Sequence, residues 1–86
     1  MQPEEIQKIL ADNLELAEVH VTGDGSHFQV IAVSDMFAEM SRVKKQQAIY
    51  APLNAHISDG TVHALTIKTF TEEEWQRDKK LIMPGS

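Results

Sequence analysis

Residues 27–34 carry apolar side chains on both sides of an extended chain, and this constrains the fold more than any other feature. Phe28, Val30 and Ala32 fall on one face and Ile31 and Val33 on the other, because successive side chains of a strand point to opposite sides. A strand that is apolar on both faces belongs in the middle of a sheet. The whole chain has 86 residues, room for one small domain, 1–86. The rest of the sequence must therefore supply the neighbours of this one strand.

The flanking patterns supply them. Pro3, Glu4 and Glu5 suit the first turn of a helix, and Ile6, Ile9, Leu10 and Leu14 recur at helical spacing. Val19 and Val21 then alternate with Glu18, His20 and Thr22 in a strand whose polar side, His20 included, is expected to face solvent. Gly23-Asp24-Gly25-Ser26 reads as the turn of an antiparallel hairpin. The pattern breaks over residues 35–41, with Met36, Phe37 and Met40 as scattered anchors. A helical stretch over residues 43–57 is interrupted at Pro52, and Ser58-Asp59-Gly60 stops it. Residues 61–70 form a third strand rich in β-formers. Thr71 and Glu74 make a capping box that opens a last helix anchored by Trp75, and the tail, residues 81–86, frays.

A strand, a helical connection and a further strand in one sheet make a right-handed parallel crossover. The expected fold is therefore a small α+β sandwich: a three-stranded mixed sheet with helices on one face, and the third strand parallel to the second and beside it.

Composition removes several classes of function. The chain has no cysteine, hence no disulfide, no thiolate nucleophile and no Cys-ligated metal. Its longest aliphatic run, residues 30–33, is far short of the ~20 residues of a spanning helix, and the acidic start is unlike a secretory leader. A cytoplasmic setting without membrane contact is the expectation. Thirteen acidic against eight basic residues give a net charge of −5, the wrong sign for a protein devoted to phosphate backbones. Basic residues still cluster as Arg42, Lys44 and Lys45, and as Arg77, Lys79 and Lys80. Ser-His-Asp, phosphate-loop and G-x-G-x-x-G signatures are absent, so no enzyme activity is expected.

The histidines carry the chemistry. His27 opens the second strand and His63 lies near the opening of the third. Parallel neighbours start at the same end of a sheet, about 4.8 Å apart, so the two imidazoles are expected to emerge at one edge beside the Gly23–Ser26 turn. Neutral imidazole suits iron, zinc and copper. Two ligands do not close a site, and the others would come from Asp24, water or another molecule. His20 and His56 need no such role. Protonating all four histidines would move the net charge from −5 to −1, which makes acid sensing a further expectation.

These residues also carry a resemblance. Val19-His20-Val21-x-Gly23-Asp24-Gly25-Ser26-His27-Phe28-Gln29-Val30, Val33-Ser34-Asp35-x-Phe37, residues 42–50, Val62-His63-Ala64-Leu65 and Thr71-x-x-Glu74-Trp75 resemble the BolA family, and within it the IbaG branch. The likeness runs from Ile6 to Lys80. Lys45-Gln46-Gln47 stands where the best-known members carry Arg-His-Arg. The resemblance implies an α-β-β-α-α-β fold similar to the type II KH domain. It also implies a monothiol glutaredoxin as partner and a bridging 2Fe–2S cluster, with glutaredoxin supplying cysteine and bound glutathione. On this side His63 would be one ligand and His27, or Asp24, a second. Histidine in place of thiolate makes a cluster less negative and raises its potential, and it must be deprotonated to bind.

The expected function is a non-enzymatic adaptor in iron–sulfur cluster trafficking or the iron and acid-stress response, monomeric or weakly dimeric when free and binding no cluster alone. The alternative is a KH-like nucleic-acid-binding regulator of transcription that holds DNA through Arg42, Lys44 and Lys45. The KH phosphate clamp is a Gly-x-x-Gly loop, and residues 40–47 contain no glycine.

Overall fold

The computed structural model describes residues 2–24 and 27–82. Four helices and three strands follow the order α1 (Pro3–Asn13), β1 (Glu18–Asp24), β2 (His27–Val33), α2 (Arg42–Tyr50), α3 (Asn54–Ser58), β3 (Ala64–Phe70) and α4 (Glu72–Ile82). Residues 83–86 of the tail lie outside the described residues.

β2 is the central strand. It pairs antiparallel with β1, Glu18 opposite Val33 through Asp24 opposite His27, and parallel with β3, His27 opposite Ala64 through Val33 opposite Phe70. Its alternating side chains feed two separate cores. Phe28, Val30 and Ala32 join Ile6 and Leu10 of α1, Val21, Phe37, Ile49 of α2, Leu53 and Val62. Ile31 and Val33 point the other way and meet Trp75 of α4, with Phe70 alongside. The expectation of helices on one face thus holds for α1 to α3, while α4 covers part of the opposite face. Leaving Ile31 and Val33 bare to water would forfeit ~1.5–3 kcal/mol each, and Trp75 is the side chain that covers them.

The same arithmetic corrects the reading of His20. The register sets it opposite Ile31, on the α4 face. Its ring stacks on Trp75 with centroids 5.5 Å apart and planes 29° apart, and Nε2 lies 3.2 Å from Glu18 Oε1.

Ser34 locks the far end of the sheet. Its buried hydroxyl donates to the Glu15 carbonyl at 2.8 Å and accepts the Met36 N–H at 3.2 Å, and its own N–H donates to the Phe70 carbonyl at 2.9 Å. One residue therefore ties the α1–β1 loop, through its hydroxyl, and β3, through its backbone, to a 3-10 turn, Asp35–Glu39, where the sequence pattern shows only a break. The interruption at Pro52 is another 3-10 turn, Ala51–Leu53, between α2 and α3.

β3 starts three residues later than expected. The Thr61 N–H donates to Asp59 Oδ1 at 2.8 Å and the Val62 N–H to the His56 carbonyl at 3.1 Å, so both donors are spent on the end of α3 and do not enter the ladder. Hydrogen bonds from Thr61 hold the Asp59 carboxyl below its ordinary value. Val62, almost wholly buried, plugs this loop into the main core.

The capping box before α4 forms as read: the Thr71 N–H donates to Glu74 Oε1 at 2.8 Å, and the Glu74 N–H to Thr71 Oγ1 at 3.2 Å. The bond from the Thr71 N–H lowers the Glu74 pKa from 4.5. Glu72 is raised, because its carboxyl shares a hydrogen bond and negative charge with Asp35.

Two outcomes follow. Trp75→Ala removes the cover of the second core, and urea titration followed by far-UV circular dichroism should show a loss of about 3 kcal/mol. Glu74 has a depressed folded-state pKa, so its stabilisation is fully present above 4.5 and disappears as pH falls through the lower folded value. Glu74→Gln should therefore show a shallower loss of melting temperature than the parent below about pH 4.5.

Candidate functional site

One end of the sheet gathers the residues of interest. His27 is the first residue of β2, opposite Asp24 of β1 and Ala64 of β3, and His63 immediately precedes Ala64. Both histidines are exposed. Among the described residues neither ring makes a hydrogen bond, so both leave their ring nitrogens available.

The two rings do not share one hollow. His27 lines a shallow depression of about 300 Å³ with Gly23, Gln29, Ala64 and Thr66. His63 lines a smaller one of about 120 Å³ with Tyr50, Ile57, Val62 and Leu65. Strand alternation accounts for the difference. Ala64 pairs with His27 and Leu65 with Phe28, so Leu65 and its hollow lie on the side of α1 to α3. The expected juxtaposition thus holds for the backbones, while each ring stands against a different side of the sheet end.

Each imidazole has a rigid mount. His63 follows the Val62 plug, and Gly60, with φ of +84°, takes the left-handed conformation that turns the chain from α3 toward it. His27 follows the hairpin turn. A Cβ on Gly23, whose φ is +153°, would collide with the His27 carbonyl oxygen and come within 2.9 Å of Phe28 Cα. Glycine is required there because two backbones cross too closely for a side chain. Asp24 closes β1 opposite His27; its side chain, like Gly25 and Ser26, lies outside the described residues.

Among the described residues, no cluster of three or more His, Cys, Asp or Glu side chains forms a metal cage. Each exposed imidazole has no competing hydrogen bond among the described residues and is the kind of donor that iron or zinc accepts, but the two face different sides of the sheet end, so most of any shared site would have to be supplied from outside. His56 is half-buried on α3, and its carbonyl holds Val62 in place.

The basic residues are rearranged relative to the expectation. Arg42 and Lys45 line a hollow of about 340 Å³ with Gln46 and residues 67–70 of β3, which bring in Lys68; Lys44 is exposed and outside it. Lys68 is twenty-three positions from Lys45, so no local cluster marks it; only the placing of β3 at the sheet edge would. Tyr50 is likewise found beside His63 only once α2 is docked. Among the described residues, no helix is long and apolar enough to cross a membrane.

A three-stranded mixed sheet with helices in this element order is the architecture of a BolA-type domain. Residues 4–74 match the family described as BolA-like protein, and the chain belongs to that family. It is 58% identical over 81 residues to the acid stress protein IbaG of Escherichia coli K12, covering 94% of this chain and 96% of that protein. Among solved structures it resembles mouse BolA1, with a TM-score of 0.78, 26% identity and coverage of 96% of this chain and 76% of that one. It also resembles Arabidopsis thaliana BolA1, with a TM-score of 0.73, 29% identity and coverage of 84% and 93%.

The close crossing at Gly23 is testable. Gly23→Ala should cost about 1–3 kcal/mol in urea titration, and it should move the backbone amide resonances of His27 and Phe28 more than those of Val33.

Proposed function

We propose that this protein is a non-enzymatic adaptor that grips a monothiol glutaredoxin and holds a 2Fe–2S cluster jointly with it, in the cytoplasm. Cluster delivery or an acid- or iron-stress response is the setting. The observation that carries this reading is the state of His63: exposed, without a hydrogen-bond partner among the described residues, and mounted on a buried valine at the end of the sheet. A ligand that must reach iron held by another molecule needs that combination of reach and fixed backbone. His27, on the neighbouring strand, is the second donor, with Asp24 as its substitute.

Support for the setting comes from the relative named as an acid stress protein, at 58% identity over nearly the whole of both chains. The chemistry is consistent with a cysteine-free chain. Thiolate ligands would come from glutaredoxin and its glutathione, and neutral imidazoles from this side leave the shared cluster less negative than an all-thiolate one. In this reading no step requires an acid, base or nucleophile from this protein.

Mixing the protein with cluster-loaded monothiol glutaredoxin should change the visible circular dichroism of the cluster. His63→Ala should abolish most of that change while leaving the far-UV spectrum intact, and His27→Ala should weaken it. An unchanged spectrum in the His63 variant would sink the ligand role.

A further inference from the structure

β3 is one of the two outer strands of the sheet, and its free edge runs along a groove rather than open solvent. The Phe70 carbonyl accepts from Ser34, so Phe70, and by alternation Lys68 and Thr66, turn their backbone groups inward to β2. Ile67 and Thr69 therefore turn their N–H and C=O groups outward. Both residues line the 340 Å³ hollow, together with Arg42, Lys45 and Gln46 of α2. An edge with free donors and acceptors is a template for another strand.

The charge at this edge has one sign. Arg42 and Lys45 stand on the α2 side of the strand, and Lys68 lies on the opposite face by alternation. Among the described residues none of the three comes within ion-pairing distance of a carboxylate. Lys45 is felt only weakly by Glu74 of α4, whose carboxyl is held mainly by the Thr71 N–H. In a chain of net charge −5 such an unpaired cationic rim is out of keeping with its surroundings.

We infer that this groove binds an extended acidic peptide segment by strand addition to β3. Three consecutive acidic residues in an added strand would set two carboxylates over Arg42 and Lys45 and one beside Lys68, while the peptide backbone bonds to Ile67 and Thr69. A polynucleotide fits less well. Residues 40–47 have no glycine to let a phosphate backbone approach closely, and the net charge repels a continuous polyanion more than three carboxylates.

The test uses the full chain and a fluorescein-labelled ten-residue peptide of Thr and Val flanking three consecutive Glu, with a Lys counterpart and a ten-nucleotide single-stranded DNA as comparisons. Anisotropy should show the Glu peptide binding and the Lys peptide not. Amide exchange by NMR should show Ile67 and Thr69 protected on binding and Lys68 unchanged. The exposed double variant Arg42→Glu, Lys68→Glu should bind about tenfold more weakly at unchanged far-UV spectrum. Equal binding of the two peptides, tighter binding of the DNA, or binding without protection of Ile67 and Thr69 would each overturn strand addition here.

Discussion

Everything in this fold depends on β2 being apolar on both sides. A strand with one wet face would need one layer of helices; this one needs two, one from α1 to α3 and one from α4. α1 and the Phe37, Ile49 and Leu53 anchors close over Phe28, Val30 and Ala32, while α4 brings Trp75 to Ile31 and Val33. The hairpin supplies the antiparallel neighbour and the crossover supplies the parallel one. Ser34, just past the end of β2, ties the loop before β1 to the 3-10 turn through a hydroxyl that both donates and accepts, and holds β3 through its backbone N–H.

The positions of the two histidines are a by-product of that arrangement. A parallel pair must begin at one end, so His27 and His63 come together although thirty-six positions separate them. The alternation that builds two cores also turns their rings to different sides. Close placement and divergent direction thus have one cause.

The parts of the fold that rest on local periodicity were legible in the sequence: the central strand, the hairpin, the break at Pro52 and the Thr71–Glu74 cap. The parallel placing of β3 was legible through chain handedness. What escaped depends on partners far along the chain. The 3-10 turn after Ser34 and the late start of β3 are set by hydrogen bonds that hydrophobic spacing does not reveal. His20 looked like a solvated residue because its strand alternates cleanly, yet its polar side faces a tryptophan that arrives fifty-five positions later. The site was legible as two residues and one end of the sheet. Its two separate hollows, Tyr50 and Lys68 were not.

α4 covers only part of its face. Gln29, Ala64 and Thr66 stay accessible beside His27, while α2 and α3 wall the other side beside His63. A rigid body that touches both imidazoles at once cannot do so from either flat side. It must straddle the strand tips and approach down the long axis of the ladder, so the direction of docking is dictated by where the last helix stops covering the sheet.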